Sequence, residues 1–249
     1  MSNESVASVT PSKHRLPAVS IVLPCLNESL TIQLTLQNID LLRETFANVE
    51  VILVDNGSHD GSIEIAKGLG VRVICCETRG YGATLRKGIL AAAHEIIVFA
   101  DTDATYDLKE APELVKMLLH AQADLVVGNR LGGRLESGAM PVLHRLLGTP
   151  ILNLLIAMLH GRRGRIIIGD CNCGFRALKR SAFIKWQTQS DGMEFASEMI
   201  VRALRSGSRY AEVPISYRKS SHLRKSNLRP WRDGIRHLNL ILLAALKNW

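Results

Sequence analysis

The chain has 249 residues, 47% hydrophobic and 22% charged, which suits one large or two small globular α/β domains and excludes a globally disordered protein. Its formal net charge of +8 favours an anionic partner: nucleic acid, a membrane surface or a phosphorylated substrate. Five cysteines form neither an even disulfide framework nor a metal-type pair of pairs, so free thiols in a reducing compartment are expected.

Residues 1–16 are expected to form a disordered leader, because Met1 to Lys13 is polar and lacks the charged-then-apolar pattern of a signal peptide. Ala18 to Cys25 is a β-branched, apolar run suited to a strand buried on both faces. Ser29 to Phe46 then carries apolar residues at helical spacing. Val49 to Val54 is a second strand, ending in the turn-rich Asp55-Asn56-Gly57-Ser58-His59-Asp60-Gly61, and Ser62 to Gly68 a helix. Val71 to Cys76 is a third strand, Gly80 to Ala93 a helix of small residues, and Glu95 to Ala100 a fourth strand. A helix over Leu108 to Ala121 and a fifth strand over Asp124 to Gly128 follow. This alternation predicts a mostly parallel sheet flanked by helices.

The later third is less regular. Val142 to His160 is apolar and amphipathic, broken at Gly148-Thr149-Pro150, and reads equally as a core helix pair or a helix lying on a membrane. Arg162, Arg163 and Arg165 precede a strand-like Ile166-Ile167-Ile168. A helix runs from Phe195 to Arg205, and Ala211 to Tyr217 is an edge-type strand with a proline. Trp231 to Trp249 is a helix with a tryptophan at each end. Between Ile215 and Trp249 eight Lys and Arg stand against the single acid Asp233, so residues 219–249 read as a basic amphipathic segment suited to a membrane interface. No stretch reaches the roughly 20 apolar residues that a spanning helix needs.

The fourth strand leads into Asp101-Thr102-Asp103. If the extended geometry persists beyond the strand, alternation puts the two acids on one face. A divalent cation is the usual reason to hold two carboxylates close, although Asp also favours turns and helix caps. In open α/β sheets ligands bind beyond the carboxyl ends of the strands, and that rule gathers Pro24, Asn27, Glu28, Asp55, Asp101 and Asp103 onto one edge. Independent turns would not need this coincidence.

Ser20 to Glu28, Val54 to Gly61, Gly80-Tyr81-Gly82-Ala83, Asp101-Thr102-Asp103, Gly128-Asn129-Arg130, Asp170 to Arg176, Gly192 to Met199 and Glu212-Val213-Pro214-Ile215 occur in one order over about residues 18 to 218. Together they resemble the GT-A family 2 glycosyltransferases, in the branch like dolichyl-phosphate mannosyltransferase and polyprenyl-phosphate glucosyltransferase. The resemblance implies a GT-A, Rossmann-like domain over residues 17–218, with amphipathic helices following. It implies a nucleotide sugar, GDP-mannose or UDP-glucose, bound by Pro24, Leu26, Asn27, Glu28, Asp55, Arg86, Asp101, Thr102, Asp103 and Arg130. Asp101 and Asp103 would hold Mg²⁺ or Mn²⁺ and, with Arg130, form the catalytic group. Arg176, Arg218, Arg224 and Lys225 would meet the phosphates of acceptor or donor. Glu194 and Glu198, four apart on a helix, would pair with a nearby arginine such as Arg176 or orient sugar or acceptor, and Asp170 has the same two readings.

The acceptor implied is a polyprenyl phosphate at a membrane surface. A sugar or protein hydroxyl needs a general base, whereas a phosphate monoester with a second pKa of about 6 is already largely dianionic at pH 7. The basic tail supplies cations beside apolar helices. A cell-wall or polysaccharide acceptor is the alternative within the family. The chain departs from the family in having Asp55-Asn56 where Asp-Asp is common and in lacking the usual Gly-x-Ser-Lys-Leu after the Glu-Val-Pro-Ile strand. Relatives often carry transmembrane helices, so the chain is expected to be either a peripheral enzyme on the cytoplasmic face, aided by an anchoring partner or self-association, or the catalytic part of something longer. A nicotinamide-dependent reductase is disfavoured because Gly80-x-Gly82 follows the third strand rather than the first. A nucleic-acid-binding protein is disfavoured by an aromatic content of 5%.

Overall fold

The computed structural model describes residues 15–161, 166–220 and 230–246. Val19–Cys25 forms β1, with every residue but Pro24 buried, as its unbroken apolar run requires. Val49–Asp55 (β2), Arg72–Cys75 (β3) and Ile96–Phe99 (β4) join it in parallel. The connections are α1 (Ile32–Leu36), α2 (Ile39–Thr45), α3 (Ser62–Gly68) and α4 (Tyr81–Ala91). A 3₁₀ turn at Leu108–Glu110, α5 (Ala111–His120) and β5 (Leu125–Leu135) follow. A π-helical turn at His144–Gly148 leads into α6 (Thr149–His160), then β6 (Arg176–Lys179), α7 (Arg180–Trp186), α8 (Phe195–Arg205), β7 (Tyr210–Tyr217) and α9 (Pro230–Leu246).

The seven described strands form one sheet in the order β3-β2-β1-β4-β6-β5-β7. It is the expected mostly parallel sheet flanked by helices, with β6 reversed between β4 and β5. Register aligns the strand ends: Cys25 lies opposite Asp55, and Asp55 opposite Cys75. α4 packs directly on the sheet at Gly88, where a Cβ would come within 2.4 Å of Val22 and 2.6 Å of Val54.

Several elements differ from expectation. The helix expected over Ser29 to Phe46 is two short helices, and the Asn38 side chain between them donates to Asp107 at 2.8 Å. Gly148-Thr149-Pro150 is not a break: the π turn runs straight into α6, and Pro150 sits in the first turn, where a missing N–H costs little. Ile166-Ile167-Ile168 is irregular chain rather than a strand. Leu16, expected in the leader, bridges to Phe46. β6 and α7 are not anticipated by the sequence, and β5 extends beyond Gly128 through a register shift between Asn129 and Arg134.

Asn56 is buried and ties β2 to the connection ahead of α4. Its amide donates to the carbonyls of Cys76 at 3.0 Å and Thr78 at 2.8 Å, while its oxygen accepts from the Gly80 N–H at 2.9 Å. Aspartate, common here in the family, could supply only the last of these bonds. Asn56→Asp is therefore expected to destabilise the fold by about 2 kcal/mol, seen in thermal denaturation as a fall on the order of 5 °C.

Candidate active site

Thr102 organises the end of β4. It is buried, its hydroxyl donates to the Pro24 carbonyl at 2.6 Å, and its own carbonyl accepts from the hydroxyls of Thr31 at 2.8 Å and Thr35 at 3.0 Å. With Thr102 pinned inward, Asp101 and Asp103 are its partly exposed neighbours on either side. Asp101 Oδ1 accepts from the Tyr81 hydroxyl at 2.9 Å. Burial, and then Asp101 itself, keep that phenol protonated well above its usual range, so it acts as a donor. Asp103 Oδ1 accepts from the Thr105 hydroxyl at 2.6 Å and its N–H at 3.1 Å, closing a turn in which Ala104 takes φ +59°. Gly174 lies against Asp101: a Cβ there would come within 2.6 Å of Oδ2. Tyr106 fixes Gly174 from below by accepting its N–H at 2.9 Å.

The ends of β1 and β2 meet beside this turn. Pro24 reaches it through its carbonyl, and Leu26 is half-buried next to it. Asn27, at φ +58°, accepts from the His59 N–H at 2.8 Å, and the Ser58 hydroxyl accepts from the Asn27 N–H at 2.9 Å. Glu28 is buried, with Thr31 donating to its carboxylate at 3.0 Å. Asp55 is buried and accepts from the backbone N–H groups of Gly57 at 2.8 Å and Ser58 at 3.1 Å, so its first visible task is to shape its own turn.

The arginines are tied more tightly than the sequence suggests. Arg176, expected at a phosphate, is buried with its guanidinium donating to the carbonyls of Cys173, Ala196 and Cys171 at 2.8–2.9 Å. It is a structural clamp of the 171–176 segment, and that expectation is corrected. Arg86, expected at the nucleotide sugar, donates instead to Ser190 O at 3.0 Å and pairs with Asp191, holding the loop between α7 and α8. Arg130 forms a buried two-pronged pair with Asp170, Nε at 2.6 Å and Nη2 at 2.8 Å, and its guanidinium lies 5.0 Å from the Tyr217 ring centre. Glu198 pairs with Arg202, not Arg176, and takes the N–H groups of Gln189 and Ser190. Glu194 lies 3.9 Å from Arg236. Arg218 bonds the Thr105 carbonyl through its N–H at 2.9 Å and Asp107 through its guanidinium, so the end of β7 sits against the acidic turn. Burial opposes ionisation of Asp107, but the Lys109 N–H and ammonium and Arg218 hold its carboxyl below the ordinary value. Arg224 and Lys225, like Arg162, Arg163 and Arg165, lie outside the described residues.

Residues 20–186 match the family profile described as "Glycosyl transferase family 2". The chain belongs to that family. It is 32% identical over 229 residues to the low-salt glycan biosynthesis hexosyltransferase Agl6 of Haloferax volcanii, covering 92% of this chain but 54% of that protein. It is 33% identical over 218 residues to a dolichyl-phosphate hexose transferase of the same organism, covering 87% of this chain and 89% of the relative. Among solved structures it resembles glucosyl-3-phosphoglycerate synthase from Mycobacterium tuberculosis, crystallised with Mn²⁺, UDP and phosphoglyceric acid. The TM-score is 0.70 at 24% identity, covering 93% of this chain and 78% of that one, a likeness of fold.

In this glycosyltransferase the donor set at the acidic turn consists of hard carboxylate oxygens. Among the described residues no group of three or more His, Cys, Asp or Glu could form a protein-only metal cage. Two carboxylates fit a cation such as Mg²⁺ or Mn²⁺, which leaves other positions to water and phosphates, better than they fit a nitrogen- or sulfur-ligated metal. Tyr81, Asn56, Thr31, Thr35 and Arg79 are not singled out by the sequence as site residues. Arg79 lies against Gly57 at the ends of β2 and β3 and bonds the Asn56 carbonyl. Tyr81 stands inside the Gly80-Tyr81-Gly82 motif, whose glycines drew attention away from the phenol between them.

Tyr81 and Gly174 bear on Asp101 from separate elements. Tyr81→Phe is expected to lower transferase turnover roughly fivefold by removing one hydrogen bond of about 1 kcal/mol. Gly174→Ala should lower it further by displacing the Asp101 carboxylate, with little change in circular dichroism. Steady-state kinetics of both variants check this.

Proposed function

We propose that the chain transfers one hexose, mannose or glucose, from a nucleotide sugar such as GDP-mannose or UDP-glucose to a polyprenyl phosphate. The observation that carries this is the acidic turn at the end of β4, pinned through Thr102 to the end of β1. Pro24, Leu26, Asn27, Glu28 and Asp55 would line the nucleoside side, where carbonyls, carboxylates and amides suit the neutral donors of a base and ribose. Asp101 and Asp103 would hold Mg²⁺ or Mn²⁺, which when bound offsets the charge of the departing diphosphate. The synthase of similar fold was crystallised with Mn²⁺ and UDP, and with Mg²⁺ and UDP, which supports the same choice here.

The acceptor phosphate oxygen attacks the anomeric carbon as the bond from that carbon to the diphosphate breaks. No proton has to be removed first, so the chain's task is to bring two anions together. Arg218 stands beside the turn already, and Arg224 and Lys225, which follow it in the sequence, would add cations for the phosphates. Arg130, paired with Asp170, would orient the wall of the site rather than act as an unshared cation. The dolichyl-phosphate hexose transferase relative supports a lipid phosphate as acceptor. Such an acceptor places the enzyme at a membrane surface. The five free cysteines suit the reducing, cytoplasmic side.

Incubating the protein with each nucleotide sugar, Mn²⁺ and a polyprenyl phosphate, and following the lipid by mass spectrometry, tests the reaction. A mass gain of one hexose that is lost on chelation is expected. Hydrolysis to free sugar, or transfer only to carbohydrate acceptors, would refute it.

A further inference from the structure

α6 has an inner and an outer face with different tasks. Inside, Asn153 bonds the Gly169 carbonyl at 2.6 Å and the Cys171 N–H at 2.9 Å, bracketing Asp170, the partner of Arg130. Outside, Leu147 of the preceding π turn and Ile151, Leu154 and Met158 follow one another at helical spacing, each more than half exposed. α9 repeats this division. Its inner face docks by Ser197 to His237 Nδ1 at 2.7 Å and by His160 Nε2 to the Ile241 carbonyl at 3.0 Å. Its outer face carries Trp231, Ile235, Leu242 and Leu246, exposed by 40–83%. The His160 bond joins α6 to α9, so the two helices that carry the apolar stripes are neighbours. Exposed apolar stripes on two adjacent helices of a folded domain mark an interaction site.

The charges around it indicate the occupant. From Val142 to Gly161 the sequence holds no acid, and the single acid of α9, Asp233, is buried. Arg145, Arg232 and Arg236 are exposed on the same helices. Two copies meeting through this face would set these arginines against each other, whereas an anionic bilayer complements both the cations and the apolar stripes. Trp231 at one end adds the amphipathic ring favoured at a headgroup boundary.

We propose that the outer faces of α6 and α9, with the π turn ahead of α6, form one docking surface for an anionic lipid bilayer. The docking follows from the apolar and charged side chains alone; its role in presenting the acceptor rests on the polyprenyl-phosphate reaction proposed above. α6 lies one helix layer from Asp170, so a lipid phosphate could reach the site with its chain still in the bilayer.

Co-sedimentation of the full chain with phosphatidylcholine vesicles, with and without phosphatidylglycerol, tests the surface. Wild type is expected to bind the anionic vesicles at least about tenfold more strongly and to release them as salt rises. Ile151→Glu with Leu154→Glu, and Leu242→Glu with Leu246→Glu, should each lower binding at least about tenfold. Leu69→Glu, an exposed leucine beyond α3, should leave it unchanged. All variants should keep their circular dichroism and their transfer to a short, water-soluble isoprenyl phosphate. Wild type remaining in the supernatant, unaltered binding by both paired variants, or a wild-type dimer that these variants dissociate without vesicle binding would overturn the docking surface. Vesicle binding without transfer by wild type would count against the reaction alone and leave the surface standing.

Discussion

Thr102 is the constraint on which the acidic site depends. A threonine between two aspartates turns inward because the Pro24 carbonyl and the hydroxyls of Thr31 and Thr35 satisfy both its polar groups in the interior. Asp101 and Asp103, on either side of it in the turn, are left partly exposed. The same bonds tie the turn after β4 to the end of β1 and to the Thr31–Thr35 turn of helix that follows it. Two like charges kept close are unfavourable unless something positive is meant to stand between them.

Support for this turn comes from distant parts of the chain. Tyr81 reaches Asp101 from the first residue of α4, and α4 is itself held by the Asp191 carbonyl, which accepts from the Gly82 N–H at 2.8 Å. The loop carrying Asp191 is fastened by the buried Glu198 carboxylate. On the other side Gly174, Tyr106 and Tyr217 stack toward the Arg130–Asp170 pair, with ring centres 5.1 Å apart between the two tyrosines. Removing either partner of that buried pair would leave an uncompensated charge in the interior, so its integrity matters more than its net strength. Carboxylates therefore do two kinds of work here: Asp170 and Glu198 neutralise arginines and organise backbone, while Asp101 and Asp103 stay partly exposed at the end of β4.

Much of the sheet and the gathering of polar residues at its edge is legible in the sequence. Long apolar runs ending in Asp or Asn announce buried parallel strands, and the rule for open sheets places their ends together. β6 is not legible, because four residues that begin with a buried arginine resemble no strand pattern. Arg176 shows the same difficulty from the side of function. An arginine in a motif reads as a phosphate ligand, but only the fold reveals that three backbone carbonyls surround it. The pairing of Arg86 is illegible for a similar reason, since its partner Asp191 is distant in sequence. The core-helix reading of Val142 to His160 holds for one face of α6. α6 has a buried face with Leu152 and Ile156 and an exposed apolar one, a combination that a single hydrophobic period cannot separate.

The chain is a family 2 glycosyltransferase, and its mixed sheet gathers at one edge an acidic turn and the polar ends of β1 and β2. Isothermal titration with UDP and GDP, with Mn²⁺ and with chelator, on wild type and Asp103→Asn, tests the central claim most directly. Tight binding of one nucleotide that requires Mn²⁺ and weakens at least about tenfold in the folded variant is the predicted result. Equal binding with chelator, or in Asp103→Asn, would contradict the assignment of this turn to metal and diphosphate.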